Sequence, residues 1–352
     1  MPTPGRPGPT SRIARADILK AARRYYDLGE SQTQIAAEMG ISGGYLARLL
    51  KAAKDSGWVR VFIDADRETE LAIRMKTAFP NLEHVEVIKS SESPEAMAEA
   101  VATVSAAWFN ELLDRDEARQ DREVWNVAIG GAMPHRLMVD QIVPRANRIS
   151  VGPTALTPTP ARVERHTAPI VAGLLALRLG ALTPGAVASA AARRGFLYSP
   201  SALCPPAGDI HALRAWYAAL ARNPDFVEMT RFWNEADVAF VSGVSTRAIY
   251  GDVAARLHQL GTSQEAMEAR GAVALIANQF VDAWGTALPI AEGIPAYESA
   301  IPIVAMRQAV RRGRMVVLDC WGRLGDLPGE IVASGLCNVF VTDTHNASRL
   351  LG

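Results

Sequence analysis

The chain has 352 residues, 49% of them apolar and 21% charged, which is typical of a soluble globular protein with room for two or three domains. No apolar run reaches the roughly 18 residues that a membrane span needs, so we expect a cytoplasmic protein with no membrane partner. The net charge is zero, but residues 1–60 hold ten Lys or Arg against five Asp or Glu. A basic amino-terminal part on a mildly acidic body fits binding to the phosphate backbone of DNA, although chance clustering explains the charge equally well.

Residues 1–12 are rich in proline and are expected to form a disordered tail, and regular patterning begins directly after it. Helical spacing, glycine stops and a β-branched alternation predict three helices and a strand, at Asp17–Leu28, Gln32–Met39, Gly43–Ser56 and Trp58–Asp64. Ser31 and Ser42 are placed to cap the second and third helices, and Gly40 turns the chain between them. Ala36 lies four residues before this turn, where a small side chain lets the two helices cross closely. The spacing predicts a winged helix-turn-helix over residues 13–64.

In a winged helix-turn-helix the third helix lies in the major groove of duplex DNA, with its first residues facing the base edges. The residues expected to contact DNA are Ser31, Gln32, Ser42, Gly43, Gly44, Tyr45, Arg48, Lys51 and Lys54. Arg48 is expected to read a base, because its guanidinium fork can donate two hydrogen bonds to guanine. Lys51 and Lys54 are expected at phosphates. The alternative interpretation is a helical hairpin with a solvated basic face.

The stretch from Tyr25 to Val59, with Ser-Gln-Thr-Gln-Ile-Ala-Ala-Glu-Met-Gly-Ile-Ser at 31–42, resembles the amino terminus of the SorC family of bacterial transcriptional regulators. The resemblance implies operator DNA as partner, a carbohydrate-type effector and homotetramers on paired sites. It also implies an effector domain related to sugar-phosphate isomerases and deaminases. Family members often carry a polar or basic residue after the serine cap, where this chain has Gly43 and Gly44.

A charged amphipathic helix is predicted at 65–82, as a linker or oligomerisation helix, before an effector-binding α/β domain at 83–352. The predicted strands of this domain are Val85–Ile88, Val124–Ile129, Arg148–Val151, Val238–Val241, Met315–Leu318 and Val339–Val341. The predicted helices are Pro94–Leu113, Pro169–Leu179, Asp209–Ala221 and Asp252–Leu260. This alternation predicts an open parallel sheet covered by helices.

Three predicted strands run into glycine loops, at Gly130, Gly152 and Gly243. At the carboxyl ends of parallel strands glycine lets the backbone approach a ligand, although glycine after a strand is often only a turn. Residues 271–285 and 339–351 resemble further segments of the same family. The candidate effector-binding residues are Gly130, Gly131, Ala132, Met133, His135, Gly152, Thr154, His166, Gly243, Ser245, Leu275, Asp282, Trp321 and Arg323.

Two departures from the family pattern bear on the effector. Leu275 stands where the family has an acidic residue. Residues 319–325 read Asp-Cys-Trp-Gly-Arg-Leu-Gly where the family has Ala-Gly-Gly and a lysine, for which Arg323 is the available substitute. Met133 and Trp321 would make the pocket still more apolar. We therefore hypothesise that the effector is not an ordinary sugar phosphate, or that it binds through different polar contacts; a sugar, a sugar phosphate and a less polar metabolite all remain open.

The alternative function is a sugar-phosphate isomerase or deaminase-like enzyme with an appended DNA-binding domain. It would need a carboxylate base and a proton-shuttling partner, for which the available groups are Asp282, Asp319, Asp343, His135, His166 and His345. They show no catalytic spacing, and Asp343 and His345 fit a cap of the last helix. The chain has no phosphate loop, zinc pattern or nucleophile elbow, so we expect no enzyme, cofactor or metal.

Two further interpretations concern the body of the chain. An architectural DNA-binding protein with a vestigial body is the third candidate function, but the glycine loops at the strand ends argue against it. Cys204, Cys320 and Cys337 are odd in number and lack metal-ligand spacing, so they are interpreted as reduced thiols that pack rather than react.

Overall fold

A computed structural model describes residues 15–55, 67–119, 125–143, 149–154, 167–179, 210–248, 257–258, 261–290 and 300–352. The chain divides into two compact units, Met1–Ile63 and Asp64–Gly352. The predicted tail at 1–12, the predicted wing strand at 58–64 and most of the helix predicted at 252–260 lie outside the described residues.

Between residues 15 and 55, the described part of the first unit, three helices are joined by short turns. They are α1 (Arg15–Ala22), which continues as a π-helical turn (Arg23–Asp27), α2 (Gln32–Met39) and α3 (Gly43–Asp55). Both predicted caps form, because Ser31 Oγ accepts a hydrogen bond from Gln34 N and Ser42 Oγ accepts one from Tyr45 N, each at 3.2 Å. Gly40 ends α2 with φ +64°, a left-handed conformation that glycine adopts without steric cost.

The core of the first unit joins the three helices. Ile35, Leu46 and Leu49 are fully buried in it, and Ala36 is 7% exposed among them. Arg24 forms ion pairs with Glu30 and Glu38, which tie the π-helical turn to α2. The apolar side of α3 therefore packs in the core, and its other side is exposed.

The second unit is built on a parallel sheet. Its first elements are α4 (Thr69–Ala78), β1 (His84–Ile88), α5 (Pro94–Arg119), β2 (Trp125–Ile129), α6 (Met133–Val139), β3 (Ile149–Pro153) and α7 (Ala168–Arg178). From residue 210 onward the elements are α8 (Ile210–Leu220), α9 (Pro224–Glu235), β4 (Val238–Ser245), α10 (Gln264–Ala269), β5 (Ala274–Ile276), β6 (Gln279–Val281), α11 (Ile303–Arg311), β7 (Met315–Cys320), α12 (Gly329–Ala333), β8 (Val339–Asp343) and α13 (Thr344–Leu351). The six predicted strands are all present. Within these ranges no helix combines the length and apolar character needed to cross a bilayer.

The order of the strands reverses between β2 and β4. The parallel strands follow the order β1-β8-β7-β4-β2-β3, and β5 and β6 form an antiparallel hairpin on the end of β4. From β2 the chain continues to β3 on one side, whereas from β4 it continues through β7 to β8 on the other. In open α/β sheets ligands bind outside the carboxyl ends of the strands where the order reverses in this way.

Strand side chains alternate between two apolar cores, one on each face of the sheet. In β4, Val238 and Phe240 belong to the core that includes residues of α5, α6 and α7, here called the α5 face. Ala239 and Val241 belong to the core that includes residues of α4, α9 and α11, here called the α9 face. Burial on both faces explains why these strands read in the sequence as short, nearly continuous apolar runs.

The helix predicted at 65–82 forms over Thr69–Ala78 and is part of the second unit. Met75 is fully buried and Phe79 is 7% exposed in the core of the α9 face. The backbone before the helix is also attached to the sheet, since Glu68 N donates to Val87 O at 2.8 Å. A linker or oligomerisation role for this helix stays a prediction.

Gly152 offers a test of packing on the α9 face, because a Cβ there would lie 2.5 Å from Phe232 Cε1. We expect Gly152→Ala to lower the free energy of unfolding of the second unit by about 1–3 kcal/mol, since Phe232 would have to shift. Gly329→Ala is the control, because its Cβ would lie at an ordinary 3.6 Å from Phe79. Calorimetry of the full chain measures the melting temperatures of the two variants. Equal melting temperatures would contradict the close packing of Gly152 against Phe232.

Candidate functional site

The outer side of α3 carries most of the residues predicted to contact DNA. Its exposed residues are Gly43, Gly44, Ala47, Arg48 and Lys51. Ser31, Gln32 and Ser42 are exposed at the amino ends of α2 and α3. The side chain of Lys54 lies outside the described residues. Ala47, which was not among the predicted DNA contacts, is exposed on the same side of the helix.

Tyr45 and Arg48 form a contact one turn apart on this surface. The guanidinium carbon of Arg48 stands 5.3 Å from the centroid of the Tyr45 ring, within the range of a cation–π interaction. Tyr45 is half-buried and packs partly against the core, whereas Arg48 is exposed. The outer surface of α3 therefore presents one arginine that rests on an aromatic ring.

In the second unit, the carboxyl ends of β4 and β7 and the start of α6 meet at one buried carboxylate. Asp319 Oδ1 accepts a hydrogen bond from Ser242 Oγ at 2.8 Å and lies 2.8 Å from His135 Nε2. The side chains of His135 and Asp319 are each only 3% exposed. With Nε2–H directed to Asp319, a neutral imidazole presents Nδ1 as an acceptor. That Nδ1 is buried and has no hydrogen-bond partner among the described residues.

Gly130 is required by the packing of this imidazole. A Cβ at Gly130 would lie 2.7 Å from His135 Nδ1 and 3.2 Å from Phe240 O. Its amide donates to the same Phe240 carbonyl at 3.0 Å, which holds the loop against β4. Gly131 and Ala132 follow as half-exposed residues, and Met133 is 40% exposed, so they form the accessible rim next to the His135–Asp319–Ser242 cluster.

Two of the predicted glycines serve the opposite face of the sheet. A Cβ at Gly152 would meet Phe232, and one at Gly243 would lie 2.9 Å from Cys320 Sγ, both in the core of the α9 face. Their lack of a side chain allows apolar groups to pack closely against the strands. The structure thus gives Gly152 and Gly243 a packing role that the sequence pattern did not distinguish from ligand approach.

The remaining predicted effector residues do not all converge on His135. Thr154 is buried directly after β3, and its amide donates to Ile129 O at 3.0 Å, beside the Gly130 loop. Trp321 is half-buried against the α5-face core and Arg323 is exposed. His166 lies outside the described residues.

Three others lie at the end of β4, in the β5–β6 hairpin and in the turn that follows it. Leu275 is 7% exposed within the β5–β6 hairpin, and Ser245 is 6% exposed at the end of β4. Asp282 Oδ1 accepts hydrogen bonds from Trp284 N at 2.9 Å and Thr286 N at 2.8 Å, which closes a tight turn. The carboxylate of Asp282 is therefore engaged by its own backbone.

Asp343 is a second buried carboxylate at the strand ends, and it caps α13 as predicted. Its Oδ1 accepts hydrogen bonds from Asn346 N and Ser90 Oγ, each at 3.0 Å. The amide of His345 donates to Ser90 Oγ at 2.9 Å, so both predicted capping residues belong to one local network. The carboxylate of Asp343 therefore serves to cap α13 and to hold Ser90, which is a structural role and not a catalytic one.

A separate surface pocket of about 150 Å³ lies at the opposite edge of the sheet. Its lining residues surround the amino ends of β1, β7 and β8 and one side of α5: Glu83, His84, Trp108, Glu111, Leu112, Arg115, Met315 and Val339. It contains none of the predicted effector residues.

Cys320 and Cys337 are buried free thiols, and Cys204 lies outside the described residues. Burial raises the pKa of Cys337 to about 12. Burial, with a smaller contribution from the charge of Asp319, raises the pKa of Cys320 well above its usual value. A thiol so held in its protonated form is a poor nucleophile, which agrees with a packing role.

The raised pKa of Cys337 predicts that the protein loses stability at alkaline pH. The pKa of Cys337 in the folded state lies above the ordinary value of 9.0. The contribution of this thiol to the free energy of unfolding is therefore complete below pH 9 and is lost as the pH rises toward 12. We expect the melting temperature of Cys337→Ala to fall less steeply between pH 9 and 11 than that of the unmodified protein. Parallel slopes would show that the thiol does not titrate on unfolding.

No protein-family model matches the chain, and no curated protein matches it. Solved structures do match. The full-length sorbitol operon regulator SorC from Klebsiella pneumoniae superposes with a TM-score of 0.58 at 22% identity, over 95% of this chain and 98% of that one. This chain has the fold of SorC-type regulators. The SorC fold covers both units of the chain, so the resemblance found in residues 25–59 is confirmed at the level of the fold.

Two further solved structures match about four fifths of the chain. A DeoR family transcriptional regulator from Listeria monocytogenes has a TM-score of 0.54 at 13% identity, over 80% of this chain and 98% of its own. A domain from Vibrio fischeri, assigned to sugar binding in a transcriptional repressor, has a TM-score of 0.55 at 17% identity, over 81% and 98%.

Proposed function

We propose that this protein is a transcriptional regulator that binds operator DNA and responds to a small metabolite. The observation that carries the proposal is a capped helix-turn-helix, with Arg48 and Lys51 exposed on α3, in one chain with a sheet domain of the SorC fold. The sorbitol operon regulator and the DeoR family regulator among its structural neighbours support this role. A regulator of this kind acts in the cytoplasm, where the DNA is.

The DNA would be bound by the outer side of α3. Gly43, Gly44, Tyr45 and Arg48 would enter the major groove, while Lys51 and the exposed ends of α2 and α3 would contact phosphates. One such module covers only a half-site, so the proposed active form is a dimer or a tetramer.

The effector would bind beside the Gly130 loop, where the strand order reverses. His135 Nδ1 offers a buried acceptor, which suits a donated hydroxyl group. Asp319 and Asp343 place two buried carboxylates at the ends of the neighbouring strands β7 and β8, and their field opposes a phosphate group. The proposed effector class is therefore a neutral, hydroxyl-bearing metabolite such as a sugar or polyol, in preference to a sugar phosphate.

The site is proposed to bind without turnover. His135 and Asp319 are hydrogen-bonded to each other at 3% exposure, and Ser242 donates to Asp319 rather than to the imidazole. Ser242 therefore lacks the hydrogen bond to an imidazole that activates a serine as a nucleophile. Turnover of a sugar phosphate by the purified protein would favour the isomerase-like alternative instead.

Arg48→Ala is expected to reduce sequence preference, chiefly at the base that Arg48 contacts, while leaving the fold intact. The loss of a bidentate base contact weakens binding to the operator by about 1–3 kcal/mol, with little change toward unrelated duplex. Competition binding of the full-length protein, with DNA selected from a random pool and with unrelated duplex, measures the two affinities. Lys20→Ala, which removes an exposed charge from α1, is the control. Unaltered preference in the arginine variant would contradict the assigned role of α3.

His135→Gln is expected to remove the response to the effector while sparing DNA binding. Neutral hexoses and hexitols and their matched phosphates, each at millimolar concentration, are the probes in a thermal-shift series. Neutral compounds should raise the melting temperature of the unmodified protein and of the control His345→Gln, whose side chain is exposed at the same edge. Stabilisation by phosphorylated sugars alone would overturn the effector class, and an undiminished shift in His135→Gln would overturn the contact.

A further inference from the structure

Arg48 is the exposed arginine of α3, and Tyr45 is the aromatic side chain in reach of it. The two residues lie three positions apart, which places them on the same side of the helix. The guanidinium carbon lies over the ring, 5.3 Å from its centroid, which is within the range of a cation–π interaction. Within the residues that the structure describes, Arg48 has no carboxylate partner. The ring of Tyr45 is therefore the group that orders this side chain.

The first turn of α3 has no long side chain beside Tyr45 and Arg48 that could contact DNA in their place. Gly43 and Gly44 are exposed, and a Cβ at either would have no heavy atom within 4 Å. Ala47, the next exposed residue, has only a methyl group. The helix can thus approach DNA closely at its amino end, and Tyr45 and Arg48 carry the first long side chains on its outer surface.

Tyr45 is itself held firmly. Its amide donates to Ser42 Oγ at 3.2 Å as part of the helix cap, and its side chain packs partly against the core of the first unit. A guanidinium stacked on a fixed ring keeps its plane oriented while the N–H groups at its edge stay free to donate. A long exposed side chain that is ordered in advance loses less conformational freedom when it binds.

We propose that Tyr45 is a positioning residue for Arg48: the ring holds the guanidinium in the plane from which it donates two hydrogen bonds to a guanine in the major groove. Arg48 then reads that guanine, and Tyr45 acts through Arg48 rather than on a base. This inference rests on the proposed function in DNA binding.

The test is a double-mutant cycle in the full-length protein on DNA that the unmodified protein enriches from a random duplex pool. Tyr45→Ala should weaken binding to the enriched duplex by about two- to five-fold, the range of an exposed cation–π contact, and leave binding to an unrelated duplex unchanged. Tyr45→Phe, which keeps the aromatic face, should restore the affinity. In an Arg48→Ala background, Tyr45→Ala should have no further effect.

The outcomes separate the inference from the proposed function. An effect of Tyr45→Ala that persists at full size in the Arg48→Ala background would mean that the ring contacts DNA directly, which overturns the positioning role. Equal affinities of the unmodified protein, Tyr45→Ala and Tyr45→Phe would overturn it as well. Failure of the unmodified protein to enrich any duplex would overturn the proposed function, and the inference with it.

Discussion

The carboxyl edge of the sheet depends on one buried carboxylate, Asp319. A carboxylate at 3% side-chain exposure is costly unless it is hydrogen-bonded, and here Ser242 and His135 supply the bonds. These partners come from β4 and α6, so the carboxylate joins three elements that are distant in the chain. Because His135 lies against Gly130, the same interaction also fixes the course of the loop after β2. The rim of the candidate effector site is set by this polar cluster rather than by the apolar cores.

The caps and turns of the first unit depend instead on interactions between near neighbours in the chain, and this is why its helices could be predicted. Ser31 and Ser42 each accept from an amide three residues onward, and Gly40 supplies its own left-handed turn. Such signals are complete within a few residues. The buried strands were predictable for a related reason, since burial on both faces leaves short apolar runs that end at glycine or polar residues.

The rest of the fold and much of the site were not predictable, because their causes are non-local. The strands of the β5–β6 hairpin have three residues each, and its turn uses Ala277 and Asn278 with φ of 47° and 62°, without the glycine that usually marks such a turn. Gly130 follows β2, whereas Gly152 and Gly243 lie within β3 and β4, although all three looked like strand-end glycines in the sequence. Only the faces of the sheet separate Gly130, which accommodates a histidine, from Gly152 and Gly243, which accommodate apolar packing.

The position of His135 has a consequence for how a ligand could act. A ligand can shift an equilibrium only by binding two arrangements of the protein with different free energies. A hydroxyl that bonds His135 Nδ1 acts first on α6, which packs against α5 and α7 on the α5 face of the sheet. The helix α4 lies on the other face, with Met75 buried in the α9-face core, so its position depends on the sheet rather than on the Gly130 loop. Any movement that begins at His135 must therefore reach α4 through the strands, and β1 and β8, which α4 and α13 pack upon, are the strands in a position to carry it.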